Sequence, residues 1–219
     1  MSKTKPIIGI STGDPNGIGV EVILKCFSDK RMFDFMTPVV FSNYELVKAQ
    51  AVHFNLKVGL NNLSDFKNLK PNSLNIYEAS KGKFNLDFGK SEELGGQLSR
   101  ESLTAASSFL KIKKIDALVT APINKKNILH ESFDFMGHTD FLNKTFDGEA
   151  MMFMVSQDLK IALLTEHIPI NKITENISKD LIEKKIKTID MSMKKDFGIQ
   201  RPKIAILSIN PHAGDDGII

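Results

Sequence analysis

The chain has 219 residues, 42% hydrophobic and 25% charged, with 29 Lys and Arg against 26 Asp and Glu for a net charge of +3. This composition suits a soluble globular protein with material for one large or two small cores. The charge is too mild to argue for a nucleic-acid partner, and no apolar run is long enough to span a bilayer. The single cysteine, Cys26, excludes an internal disulfide and fits a reducing compartment. It reads as a small buried residue of a helix. The N-terminal apolar run is too short for a signal peptide, so the cytoplasm is the expected location.

Pro6 to Ser11 reads as a first strand running into Thr12-Gly13-Asp14-Pro15-Asn16-Gly17-Ile18-Gly19, and a helical pattern follows from Val20 to Phe27. Strand, glycine loop and helix form the layout of a phosphate- or nucleotide-contacting turn. The spacing fails the dinucleotide fingerprint, and the lysine-serine end of a P-loop is missing. The loop is therefore open to two readings, a ligand-side turn or a plain βα turn in which Gly17 and Gly19 relieve the backbone. Thr37 to Ser42 is a second strand and Tyr44 to His53 a helix, which establishes α/β alternation. From Leu56 to Leu94 turn residues dominate, predicting short strands and loops. Gln97 to Lys114 carries Leu98, Leu103, Ala106, Phe109 and Leu110 on one helical face.

Ala117-Leu118-Val119 is a short apolar run of the kind buried on both faces of a sheet, and Pro122 should end it. After it comes Met136-Gly137-His138-Thr139-Asp140, where Thr139 or Asp140 could cap a helix beginning near Phe141. Backbone N–H groups, a hydroxyl and an imidazole would then share a helix start, which favours an anionic ligand. His138 is equally readable as an ordinary capping or core residue. Met151–Val155 and Ile161–Leu164, joined by a tight polar connection, predict a β-hairpin. A long helix is expected from Thr174 to Phe197, ended by Gly198 and Pro202, and Lys203 to Ser208 reads as a last strand. The methionines Met136, Met151, Met152, Met154 and Met191 read as core filler. His53 and His130 read as surface residues.

His138, His167 and His212 each lie in a loop shortly downstream of an apolar strand. Loops at the carboxyl ends of strands converge on the ligand crevice of an open α/β sheet. Imidazole suits zinc and other borderline divalent ions. A shared metal site and separate structural roles both remain open on this pattern, because no compact HxxxH or CxxC pair is present.

Five segments in chain order carry a resemblance: GISTGDPNGIGVEVILK (9–25), ALVTAPINK (117–125), MGHTDFL (136–142), LLTEHIPI (163–170) and NPHAGDDG (210–217). Together they resemble the PdxA family of 4-hydroxythreonine-4-phosphate dehydrogenases, which act in pyridoxal phosphate (vitamin B6) biosynthesis. The resemblance implies an α/β fold like that of isocitrate and isopropylmalate dehydrogenases, two-lobed with a central mixed sheet and an active site in the inter-lobe cleft. Approximate lobes would be 1–130 and 131–219. It implies NAD-dependent (or NADP-dependent) oxidation of 4-phosphohydroxy-L-threonine followed by loss of CO₂. His138 and Thr139 would contact this small phosphorylated substrate. His167 and His212 would bind a divalent metal (zinc, magnesium or cobalt), and Asp14, Gly17 and Gly19 would neighbour the cofactor. A homodimer with active sites at the subunit interface is also implied, with no nucleic-acid or membrane partner.

Family members continue well past the NPHAG loop, and that continuation carries a third metal histidine and the basic residues for the substrate phosphate. The chain is therefore expected to be incomplete. Competing readings are a paralogous dehydrogenase of a four-carbon sugar-acid phosphate such as D-threonate or D-erythronate 4-phosphate, a phosphate-binding acyltransferase-like domain, or an inactive truncated relative.

Overall fold

Five strands, β1 (Ile7–Ser11), β2 (Thr37–Ser42), β3 (Leu60–Leu63), β4 (Leu74–Glu78) and β5 (Ala117–Thr120), pair in parallel in the order β3-β4-β2-β1-β5. They belong to a computed structural model that describes residues 5–82, 84–130, 133–135, 137–215 and 218. Its contacts divide the chain into two units, Met1–Asp147 and Gly148–Ile219.

In the first unit β2 is central, and all six of its residues are buried. Their alternation sorts them between two cores. Val40 packs with Ile10, Leu74 and Ile76 beneath α1 (Gly19–Ser28) and α3 (Tyr44–His53), through Val20, Leu24, Phe27 and Val47. On the opposite face, Val39 and Phe41 pack with Leu63, Ala106 and Ile115 beneath α4 (Glu93–Lys111). Each fully buried Val, Leu or Phe contributes about 1.5–3 kcal/mol of burial free energy, so these two layers set the position of the loops above them. Between α1 and β2 lies the short α2 (Met32–Phe35). After β5 come α5 (Lys125–Ile128) and α6 (His138–Thr145), where Leu103, Ile128, Phe133 and Phe141 make a third cluster.

Several expectations from sequence change here. Among the described residues β5 is an edge strand and not a strand buried on both faces: Ala117 is exposed and Val119 is 52% exposed. There the apolar run has one strand neighbour, β1. α4 begins four residues before Gln97, because Glu93 to Gly96 join its first turn. α6 begins at His138 with Gly137 as its N-cap, three residues before Phe141, and neither Thr139 nor Asp140 is the cap. Cys26 is exposed on α1, since the buried stripe of that helix runs through Val20, Ile23, Leu24 and Phe27.

In the second unit β6 (Phe153–Val155) and β7 (Lys160–Ala162) form the expected antiparallel hairpin, closed by Ser156 N donating to Leu159 O at 2.8 Å. The expected long helix is two helices, α7 (Ile173–Asn176) and α8 (Lys179–Lys195). Ser178 adopts an extended backbone and its Oγ accepts from Leu181 N at 3.1 Å, restarting the helix as an N-cap. Residues 203–208 form no strand. A strand needs a neighbour to complete its ladder, and this segment has none among the described residues, with Ile206 and Leu207 55% and 88% exposed. Met154 and Met191 are also exposed, at 56% and 64%, so they are not core filler. Met136 lies outside the described residues.

Candidate active-site loops at the ends of β1 and β5

The polypeptide leaves β1 and β5 side by side, and the two loops touch backbone to backbone. Ala121 N donates to Ser11 O at 2.9 Å and Asp14 N to Pro122 O at 3.1 Å. Gly13 makes this approach possible: its φ is +65°, and a Cβ there would stand 2.0 Å from Pro122 O. Gly19 has a similar role, since a Cβ would stand 2.4 Å from Thr12 O. Gly17 sits at the exposed tip of the turn.

Below the loop a run of buried hydroxyls fixes Thr12. Its N–H donates to Ser102 Oγ at 3.0 Å, and Ser102 Oγ donates to Phe41 O at 2.5 Å. Gln50, fully buried on α3, donates from Nε2 to Pro15 O at 2.9 Å. Asn16 carries three further contacts. It accepts from Asp87 N at Oδ1 (2.9 Å) and from Gly89 N at its carbonyl (2.9 Å), and its Nδ2 donates to Glu92 Oε2 (3.5 Å). One residue, through its side chain and its carbonyl, therefore holds the connection before α4 across the β1 loop.

Asp14 is 7% exposed and committed on both oxygens. Oδ1 accepts from Asn16 N at 3.0 Å, and Oδ2 accepts from Asn127 Nδ2 at 3.4 Å. The carboxylate also lies against the first turn of α4, where a Cβ at Gly95 would be 2.9 Å from Oδ1. A negative group is stabilised at that end of a helix. Asp14 therefore joins α4, α5 and the β1 loop. Asn127 extends the junction, accepting from Ser91 Oγ at 2.5 Å and, through its carbonyl, from Arg100 Nη1 at 3.1 Å. Asn16, Asn127 and Arg100 carried no marked signal in the sequence. The Gly95-Gly96 pair just ahead of the expected helix is the one available hint, because glycines in a helix's first turn are costly unless something packs close.

His138 occupies the first position of α6, whose N-terminus has no side-chain cap. Its Nε2 is buried and has no hydrogen-bond partner among the described residues. Burial pushes the imidazole pKa down, favouring the neutral ring. Thr139 beside it is exposed. An uncapped helix start with a neutral imidazole and a hydroxyl can accept an anionic or hydroxyl-bearing group.

His167 and His212 belong to the second unit, and both are exposed. His167 has φ +55°, and His212 precedes three left-handed residues, Ala213, Gly214 and Asp215. Asp215 N donates to His212 O at 2.9 Å, closing the turn. A structural or catalytic zinc site takes at least three protein donors. Among the described residues no three His, Cys, Asp or Glu side chains converge in that way. Two imidazoles of suitable chemistry are present, but the described residues do not by themselves make a complete metal site. Asp216 and Gly217 of the last motif lie outside the described residues.

A parallel α/β sheet covered on both faces, with its glycine loop at the carboxyl end of β1, defines the class: an α/β protein of the isocitrate/isopropylmalate dehydrogenase-like fold. The chain superposes with TM-score 0.86 on a crystal structure of a 4-hydroxythreonine-4-phosphate dehydrogenase from Burkholderia phymatum, at 25% identity, over 99% of this chain and 66% of that one. It belongs to the family described as pyridoxal phosphate biosynthetic protein PdxA, whose sequence model matches residues 34–219. A 4-hydroxythreonine-4-phosphate dehydrogenase of Bacteroides thetaiotaomicron is 34% identical over 100% of this chain and 61% of its own length. A protein of Cutibacterium acnes, provisionally named a D-threonate 4-phosphate dehydrogenase, is 32% identical over 99% of this chain and 64% of its own. The chain thus spans less than two thirds of the length of the curated relatives it matches. No helix among the described residues is long and apolar enough to cross a membrane.

Proposed function

We propose that the protein built on this chain is an NAD-dependent 4-hydroxythreonine-4-phosphate dehydrogenase of vitamin B6 biosynthesis. The observation that carries this reading is the 34% identity to the Bacteroides dehydrogenase along the whole of the chain. In the proposed reaction the carbinol carbon of 4-phosphohydroxy-L-threonine gives a hydride to the nicotinamide while the hydroxyl loses its proton. The resulting β-keto acid loses CO₂ to leave 3-amino-2-oxopropyl phosphate. The nicotinamide does the redox chemistry, and the protein's part is alignment and charge stabilisation. His138 and Thr139, at an uncapped helix start, are the residues proposed to contact the substrate. Asp14, Gly17 and Gly19 of the β1 loop are proposed to border the cofactor, with Gly17 at the exposed tip and Asp14 held by Asn127.

His167 and His212 are proposed as two donors to a divalent ion such as zinc, with the third donor lying outside the described residues. The protein is proposed to act in the cytoplasm as a homodimer. The match to the Cutibacterium protein favours a second reading, oxidation of D-threonate 4-phosphate.

The deciding experiment offers both phosphates with NAD and with NADP and follows absorbance at 340 nm, alongside elemental analysis and light scattering. NADH formation from 4-phosphohydroxy-L-threonine by a metal-loaded dimer is expected. NADH from D-threonate 4-phosphate alone would replace the first reading with the second, and no reduction with either would overturn both. His167→Ala and His212→Ala should each lower the bound metal, and metal retained in both would remove them as ligands.

A further inference from the structure

Along the outward face of α4 lies an open, groove-like cavity of about 730 Å³, bounded on one side by His130 and Phe133. That volume is within the range of small-molecule sites. Its walls hold opposite charges that do not meet. Arg100 is half-buried, and its Nη1 donates to the carbonyls of Asn127 and Ile128, each at 3.1 Å. Nε and Nη2 have no partner among the described residues, and the guanidinium forms no ion pair there. A guanidinium cannot shed its charge, so a half-buried one without an anion is incompletely compensated.

Glu93 and Glu101 line the same cavity. They stand eight residues apart on the helix, about 12 Å along its axis. Glu101 accepts from Gln97 Nε2 at 2.8 Å, and neither carboxylate has a cationic partner among the described residues. The helix explains why the charges stay apart. Neighbours such as Arg100 and Glu101 point in different directions, and residues seven apart are two turns distant. The carbonyls at the end of α5 hold the guanidinium where it is. Phe133, 5% exposed, supplies an aromatic wall, and Ala79 and Ala105 add apolar surface.

We propose that this cavity binds a small zwitterion with an apolar body, of the chemistry of an aromatic amino acid. Its carboxylate takes the side-on fork of Nε and Nη2 on Arg100. Its ammonium pairs with Glu101, and its apolar part lies against Ala79, Ala105 and the exposed edge of Phe133. The inference does not rest on the dehydrogenase reading, and its test involves no turnover.

The test is calorimetric titration of the 219-residue chain with L-phenylalanine, 3-phenylpropanoate and 2-phenylethylamine. These probes share one body and differ only in charge. L-Phenylalanine should bind saturably at one per chain, at least about tenfold tighter than either singly charged probe. Glu101→Gln should weaken L-phenylalanine about tenfold and leave 3-phenylpropanoate unchanged, and Arg100→Gln should spare 2-phenylethylamine instead. Thr104→Trp, at an exposed position on the cavity wall, should abolish binding without altering any charge. It keeps the test decisive should Arg100→Gln fail to fold. Equal affinities for the three probes, absence of saturable binding, or undiminished binding by Thr104→Trp would overturn the assignment.

Discussion

Asn127 Nδ2 donates to Asp14 Oδ2 at 3.4 Å across 113 residues of chain, tying the loop after β1 to the helix after β5. The same carboxylate accepts from Asn16 N at 3.0 Å, so a single buried group orients two loops at the carboxyl edge of the sheet. In a parallel sheet that edge is where ligands bind. The stability of the proposed cofactor border and the integrity of this junction are therefore linked.

Asp14→Ala is expected to cost about 1–3 kcal/mol, because it removes two acceptors and leaves a buried amide donor unmatched. Asn127→Ala should cost a similar amount. The double variant should fall short of the sum by about 0.5–3 kcal/mol, as expected for residues in direct contact. Urea unfolding followed by circular dichroism measures all three, and full additivity would dissolve the proposed coupling.

Gly96→Ala should be among the most damaging small changes in the chain. The added Cβ would stand 1.8 Å from Asn127 O, a backbone atom that cannot rotate away. Overpacking of this kind costs about 1–3 kcal/mol or more. Gly137 offers the contrast, with nothing within 4 Å of a built Cβ and an extended φ of 166°. Gly137→Ala should cost no more than about 1 kcal/mol, the difference between a glycine and an alanine cap. Comparable losses at both positions in thermal melts would show that close approach to Asn127 is not what selects Gly96.

His138 should give the fold a pH dependence of definite sign. Burial lowers its folded pKa below the unfolded value of 6.5. Above pH 6.5 both states are neutral there and the contribution to stability is complete. As pH falls from 6.5 through the folded pKa, the unfolded chain takes up the proton first and stability is lost. The melting temperature of the native chain should therefore drop between pH 7.5 and 5.5 more than that of His138→Gln. Parallel curves would mean that the imidazole titrates freely in the folded state.

Ser178→Ala should separate α7 from α8 energetically. It removes the Oγ that accepts from Leu181 N at 3.1 Å and should cost about 1 kcal/mol. Ser178→Asp should keep the cap and add a favourable charge at the helix start. Hydrogen exchange at Leu181 and Ile182 reads the cap directly, and unchanged protection in the alanine variant would count against it.

Local pattern in the sequence determined much of this protein. The strand over 37–42 and the helix over 44–53 follow from apolar period and capping, and Asn43 does cap that helix by accepting from Leu46 N at 3.0 Å. The glycine loop, the 153–162 hairpin and the motifs that resemble the PdxA family were also legible, because each is set by residues near one another in the chain. Only the tertiary structure decided the rest. An apolar run such as Ala117–Val119 looks the same at the edge of a sheet as at its centre, and strand order among the described residues places it at the edge. The segment 203–208 has strand composition but no ladder neighbour among the described residues. The tie between Asp14 and Asn127, more than a hundred residues apart in the chain, could be read from neither segment alone. Burial and pairing between distant residues are properties of the packed chain, and no local spacing encodes them.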